Sequence, residues 1–210
     1  MAIAALSNFT VPLASDQSAS TQGLLMPKLS YRFRVSLENF GVSKGTTELT
    51  KQVSEAGRPK VTFDTQTIDL YNSRINYAGK PKWEALTIKL RDDVTGAVSK
   101  LVGEQNQKQF DFFEQSSAAS AGDYKFTMRI EMLDGGNGAD TPTVLETWEC
   151  YGCWLVSTNW NSQGLSYKTN DPAMIELSIQ PDNCVQTGAS ASLGVPGINQ
   201  PRNTTSALGA

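Results

Sequence analysis

The 210-residue sequence contains no histidine. This absence removes the side chain that most often acts as a general base near neutral pH and most often binds transition metals. Cysteine is scarce, with three residues at positions 150, 153 and 184. A structural zinc site needs about four ligands, which three thiols without an imidazole do not supply. No metal site and no cofactor are therefore expected.

The sequence also lacks a long apolar run and a surplus of basic residues. No run of about 18 apolar residues occurs, so neither a membrane-spanning helix nor a membrane partner is predicted. The N-terminus lacks the basic start and continuous apolar block of a signal peptide, so we expect a protein made, or assembled, in a cytoplasm. The net charge of −3 argues against a nucleic-acid binder, which needs excess Lys and Arg.

Alternating apolar and polar residues predict a mainly β domain of about seven strands, a sandwich or barrel with one wet face. One helix with an apolar stripe is predicted at about 93–106, with Val94, Val98, Leu101 and Val102 facing inward. Asp92 and Asp93 precede it, where carboxylates cap exposed amide groups. The predicted strands cover residues 30–38, 46–54, 60–70, 84–91, 124–132, 143–157 and 173–180.

Composition divides the chain into three parts. Residues 1–26 and 185–210 are rich in small and polar residues and carry one charge each, Asp16 and Arg202. We predict an N-terminal arm at 1–26, a β domain at 27–184 and a C-terminal tail at 185–210. The arm either stays disordered or orders on a neighbouring subunit. An aromatic cluster of Phe110, Phe112 and Phe113 is predicted to join the core.

The chemistry-bearing residues do not assemble into a catalytic set. Adjacent acids at a helix start are more often caps than acid–base pairs, and no nucleophile, base and orienting group occur together, so no enzyme is expected. The Cys150–Cys153 pair lies in a predicted strand and indicates structural thiols, with a disulfide as the alternative; joining the two needs a bulge at Gly152. Trp83, Trp148, Trp154 and Trp160 indicate core or interface anchors, or sugar-stacking platforms as the alternative.

Charge is segregated along the chain. Residues 28–100 hold 13 Lys and Arg against 8 Asp and Glu, whereas residues 131–182 hold 8 acids and Lys168 alone. If the two halves present different surfaces, a basic face of one copy can meet an acidic face of another. Such contacts are head-to-tail and produce rings or stacks. The alternative is that the charges interleave and cancel locally.

The central segment at 72–79, followed by Trp83, a strand and Asp92-Asp93, resembles the signature of tail tube proteins from contractile-tailed bacteriophages. A strand after Pro27, the segments 152–156 and 159–160, and the strand at 175–179 are similar to other strands of that family. The resemblance covers about residues 27–183. It implies subunit-interface roles for the signature residues Asn72, Arg74, Asn76, Ala78, Gly79, Trp83, Asp92 and Asp93.

The resemblance further implies a β-barrel or sandwich subunit with one helix, hexameric rings and a hollow tube inside a contractile sheath. Viral DNA would pass through the lumen without specific binding. The implied partners are copies of the chain stacked head-to-tail, the tail sheath, baseplate and terminator proteins. The implied location is the virion tail, assembled in the host cytoplasm.

Polar faces of two late strands are candidates to line that lumen, because a lining without surplus positive charge would not hold phosphates. A tube of a phage-like bacteriocin or secretion system is the nearest alternative. A monomeric carbohydrate-binding β-sandwich and a virion decoration protein are the others. The candidate lumen-facing residues are Thr127, Arg129, Glu131, Glu176, Ser178 and Gln180.

Overall fold

The computed structural model describes residues 28–43, 47–135, 142–162, 164–168, 170–188 and 193–194. The chain forms two compact units, Met1–Arg32 and Phe33–Ala210. In the described part of the first unit, the Arg32 guanidinium lies 5.3 Å from the centre of the Tyr31 ring. The predicted N-terminal arm and most of the C-terminal tail lie outside the described residues, so the three-part division stays a prediction. Within the described part of the chain, no helix is long and apolar enough to cross a membrane.

The second unit is mainly β, as predicted. In chain order its elements are β1 (Phe33–Glu38), α1 (Thr47–Gln52), β2 (Val53–Ala56), β3 (Val61–Leu70), β4 (Ser73–Trp83), β5 (Leu86–Arg91), α2 (Ala97–Gln109), β6 (Phe110–Asp111), β7 (Ser116–Ser117), α3 (Ala121–Tyr124), β8 (Phe126–Leu133), β9 (Val144–Asn159), β10 (Met174–Gln180) and β11 (Asn183–Thr187).

Seven strands form one sheet in the order β1-β8-β9-β10-β5-β2, with β11 also paired to β9. Every pairing is antiparallel. The 16-residue β9 joins the two halves of the sheet. Its first part pairs with β8 up to Cys153, and its second part pairs with β10 from Trp154 onward. Strand β11 continues the line of β10 along β9 after a break at Pro181 and Asp182.

Period-2 alternation places one face of these strands in the core, as predicted for a sheet with one wet face. In β8, buried and half-buried residues alternate without exception from Phe126 to Leu133. Helix α2 covers the core with Val98, Leu101 and Val102, as predicted. One cluster includes buried side chains from β1, β5, β8, β9, β10, β11, α1 and α2.

Three predictions about local structure are wrong. The predicted strand at 46–54 is mostly helix α1, which places Leu49 fully inside the core; six residues are too few to show a helical period. Helix α2 begins at Ala97, because Gly96 has a left-handed backbone (φ 69°), and Val94 before it is fully exposed. Besides α2, the described part of the chain has two further short helices, α1 and α3.

The predicted aromatic core cluster is wrong as well. Phe112 and Phe113 are largely exposed, and Phe110 is 37% exposed. The reason is that β6 pairs with the two-residue β7 and does not join the main sheet. Strand β11 was not predicted. It extends the β structure to Thr187, and its buried residue is Cys184.

Two polar side chains of α2 attach the helix to the segment that follows β1. The Glu104 carboxylate accepts hydrogen bonds from the backbone N–H groups of Val42 and Ser43 (2.9 and 2.8 Å) and from the Ser43 hydroxyl (2.6 Å). The fully buried Gln105 accepts from the Gly41 N–H and donates to the Tyr124 carbonyl. The Ser43 hydroxyl, followed by the backbone N–H groups of Ser43 and Val42, lowers the pKa of Glu104 from its ordinary value of 4.5 to about 2.

We expect Glu104→Gln to destabilise the subunit at neutral pH by about 2 kcal/mol, since charge-assisted hydrogen bonds are stronger than neutral ones. The folded-state pKa is lowered, so this stabilisation is complete above pH 4.5 and is lost as the pH falls toward 2. Urea unfolding of both proteins between pH 7 and pH 3 should show the difference shrinking with acidity. The exposed Glu114→Gln is the control; equal effects of the two substitutions would contradict the prediction.

Candidate assembly surface

Strands β3 and β4 form a two-stranded sheet of their own. A two-residue turn, Tyr71-Asn72, joins them, and their pairing extends from Leu70–Ser73 to Val61–Trp83. At the base, the Glu84 N–H donates to the Lys60 carbonyl (2.9 Å) and the Lys60 ammonium pairs with the Glu84 carboxylate (2.7 Å). Trp83 packs against the core. The hairpin is therefore anchored at its base, while most of its length is exposed.

The outer part of this hairpin has one apolar face. Ile68 lies directly opposite Ile75, and strand alternation places Leu70 and Tyr77 on the same side. These four side chains are about half exposed, at 50, 53, 49 and 52% in that order. An isolated two-stranded hairpin is marginally stable in water. A solvent-exposed apolar face on such a hairpin is typical of a protein–protein interaction surface.

The opposite face is polar and fixes the register of the strands. The Arg74 guanidinium donates to the Asp69 carboxylate at 2.6 Å, and the Thr67 hydroxyl donates to the Asn76 side-chain oxygen at 3.1 Å. Gly79 is required by a close approach, because an added Cβ would lie 2.8 Å from the Asp64 carbonyl oxygen.

The structure places six of the eight predicted signature residues on the hairpin and two elsewhere. Asn72 lies in the turn; Arg74, Asn76, Ala78, Gly79 and Trp83 lie in β4. Asp92 and Asp93 stand before α2, where an Asp93 oxygen accepts from the Ala97 N–H (2.9 Å). Asp93 therefore binds one free amide group of the first turn, as predicted for a carboxylate there, but the N-cap residue itself is Gly96. Interface roles for the eight residues stay a prediction. The apolar face was missed, although the alternation of Ile75 and Tyr77 within the signature was available to find it.

A second surface is the outward face of the seven-stranded sheet, which carries paired charges. Glu131 accepts from Arg34 at 2.5 Å, and Arg129 bridges Glu38 (3.1 Å) and Glu149 (3.0 Å) across β1, β8 and β9. The Tyr151 hydroxyl and then Arg129 hold the pKa of Glu149 below its ordinary value.

The other half of the sheet repeats this arrangement. Lys89 on β5 pairs with Glu55 on β2 (2.7 Å) and stands in register with Glu176 on β10. Glu55 raises the pKa of Lys89. The charged side chains named on the two halves of this face are eight, of which five are carboxylates and three are cations. All six candidate lumen residues lie on this outward face and are half-buried: Thr127, Arg129, Glu131, Glu176, Ser178 and Gln180.

The three cysteines form a buried group beside a β-bulge at Gly152. Gly152 has φ 65°, and the pairing of β8 with β9 shifts register there, so that Cys150 and Cys153 are both fully buried despite their spacing. All three cysteines are free thiols, which agrees with the structural interpretation. The hydrogen bond that the Cys150 thiol shares with Cys184, and then burial, raise the pKa of Cys150, and burial raises the pKa of Cys153 to about 12.

Comparison with known proteins identifies the fold. No family model matches the sequence, and no curated protein matches it. A chain of the anti-feeding prophage cap, the AFP tube terminating cap, is similar over 82% of this chain and 99% of its own, with a TM-score of 0.58 at 16% identity. A chain of the AFP baseplate is similar over 80% and 99%, with a TM-score of 0.54 at 12% identity.

A third similar structure comes from an extracellular contractile injection system. A chain of the PVC sheath–tube complex in the extended state matches over 82% of this chain and 99% of its own, with a TM-score of 0.53 at 19% identity. The chain thus has the fold of subunits found in contractile injection complexes. The predicted resemblance to tube proteins is confirmed at the level of the fold.

Proposed function

We propose that this chain is the tube subunit of a contractile tail or injection system, assembling into hexameric rings that stack into a hollow tube. The observation that carries the proposal is the β3–β4 hairpin, whose apolar face of Ile68, Leu70, Ile75 and Tyr77 has half-exposed side chains. The fold, shared with chains of tube-cap, baseplate and sheath–tube complexes, supports the same conclusion.

The particular member we propose is the tube of a contractile phage tail, located in the virion and surrounded by sheath, baseplate and terminator proteins. The charged outward face of the sheet lines its bore. Three cations of that face, Arg34, Arg129 and Lys89, each have a carboxylate within ion-pair distance, so they are poorly placed to hold phosphates, and viral DNA can slide past.

Self-assembly is tested on the purified full-length chain by light scattering and negative-stain electron microscopy. We expect rings and rods at high protein concentration. A species that stays at 22.8 kDa at every concentration would refute the proposal and favour the carbohydrate-binding alternative. Rings that never stack into rods would instead assign the chain to the tube terminator, the second candidate, which the similarity to the AFP tube terminating cap favours.

The bore lining is tested by charge reversal in assembled tubes. We expect Glu131→Lys and Glu176→Lys each to make tubes retain DNA at low salt, with retention falling steeply as salt rises, because each replaces a carboxylate that stands beside a cation with a second positive charge. Glu114→Lys, in the turn between β6 and β7, makes the same charge change outside the sheet and is the control. Equal DNA retention by all three variants would show that this face does not line the bore.

A further inference from the structure

We infer that Cys150 and Cys184 are the site of a reversible disulfide that fixes the C-terminal strand β11 to β9. The two residues lie directly opposite each other in the antiparallel β9–β11 pair. Residues so paired have Cα atoms about 4.5–5.5 Å apart, within the range that a disulfide spans. Their sulfur atoms already lie 3.1 Å apart. Closing this gap to a bond of about 2.05 Å needs a side-chain adjustment and no movement of the strands.

The geometry selects this pair over the two others that three cysteines allow. Cys153 lies in the same strand as Cys150, beyond the Gly152 bulge, and its thiol donates to the Cys150 carbonyl at 3.3 Å. Its strand neighbour is Phe126 on β8, which lies on the other side of β9 from β11. Cys184 therefore faces Cys150 across a ladder, and Cys153 faces neither cysteine in this way.

Access to the pair is controlled by β11. Both thiols are almost completely buried, at 0 and 1% exposure, so a reagent reaches them only when the strand lifts. Within the described residues, β11 pairs only with β9. Lifting it breaks one ladder and leaves the rest of the sheet paired, which makes this a local opening. The hydrogen bond with Cys184 and the burial, which together raise the pKa of Cys150, also keep the closed state unreactive.

The oxidant that we specify is a low-molecular-weight disulfide such as oxidised glutathione. In the opened state one cysteine loses its proton, and its thiolate attacks a sulfur of the reagent, releasing one small thiolate and forming a mixed disulfide. The second cysteine, deprotonated in turn, attacks the protein sulfur of that mixed disulfide and releases the second small thiolate. The protein loses two electrons and two protons, and the reagent becomes two small thiols.

Once formed, the cross-link closes a loop between residues 34 positions apart. It prevents β11 from separating while the rest of the chain is folded. This inference is independent of assembly, because it concerns contacts within a single subunit.

The test incubates the full reduced chain with oxidised glutathione, with and without a urea concentration below the unfolding transition. We expect the protein to lose the mass of two hydrogen atoms, faster with urea, and non-reducing peptide mapping to link Cys150 to Cys184. The Tm should rise by roughly 5–10 °C, and dithiothreitol should reverse the change. Cys184→Ala should abolish the cross-link and the Tm rise, and Cys153→Ala, the matched control, should keep both.

Three results would overturn the inference. One is an unchanged mass after prolonged incubation in urea. Another is a peptide map that links Cys150 to Cys153. The third is a stable glutathione adduct that never resolves to the internal disulfide. The mapping is done on the wild-type chain, so the answer does not depend on the folding of the variants.

Discussion

Ile75→Asp is expected to leave the subunit folded and to abolish ring and tube formation. The side chain is 53% exposed on the hairpin and is not part of the core cluster, so the subunit itself loses little stability. In an assembled interface the same carboxylate would be buried without a partner, which costs several kcal/mol. We expect the concentration needed for assembly to rise by roughly 100-fold or more. Sedimentation velocity measures the assembly, and circular dichroism measures the fold.

The control for this prediction is the next residue along the strand. Asn76→Asp adds the same charge to the polar face, so its effect on assembly should be much smaller if the apolar face is the one that is covered. Equal loss of assembly in both variants would mean that charge on the hairpin matters and the face does not. Normal assembly of Ile75→Asp would remove the hairpin's apolar face from the interface.

Gly152→Ala is expected to lower the stability of the subunit by about 2–4 kcal/mol. Two effects add together. The backbone there has φ 65°, a conformation that disfavours side chains, and the new Cβ would lie 2.3 Å from an Asp182 carboxylate oxygen. Asp182 would have to move, and it forms an ion pair with Lys125. Chemical denaturation at neutral pH measures the change.

Gly96→Ala separates these two effects. Gly96 has nearly the same backbone angle, φ 69°, but nothing lies within 4 Å of an added Cβ. We expect this control to lose only about 1 kcal/mol, the backbone part alone. If the two variants lose equal stability, crowding by Asp182 contributes nothing. If Gly152→Ala loses less than Gly96→Ala, the account of the bulge is wrong.

The sequence predicted the strands best where one face is buried and the other is wet. In β8 and β10 a one-residue shift would expose the core face, so the alternation identifies both the strand and its orientation. The failures occur where this constraint is absent. Helix α1 has six residues, and among its described side chains Leu49 is the fully buried one, which is too little for a periodic signal. Phe112 and Phe113 are apolar but follow a short ladder outside the sheet, so their position depends on tertiary structure.

Six of the eight signature residues lie on the β3–β4 hairpin, and their interface roles stay a prediction. Polar signature residues such as Arg74 and Asn76 were predicted to contact other subunits. In the structure both form hydrogen bonds across the two strands of the hairpin itself. The charges that are segregated along the sequence are partly paired within the folded subunit. Arg34 from the basic half pairs with Glu131 from the acidic half inside one subunit, so charges interleave at that face. Pairing of this kind depends on strand order, which alternation alone does not specify.

In the tube that we propose, the attachment of the β3–β4 hairpin at its base alone has a consequence for how such assemblies diversify. Because its outer residues support none of the buried cluster, they are free to change without repacking the interior. Selection for recognition of neighbouring subunits then acts on the outer residues of the hairpin, and selection for folding stability acts on the residues of the core cluster. Transplanting the segment from a distant homologue should therefore transfer partner choice while leaving the melting behaviour of the recipient almost as it was.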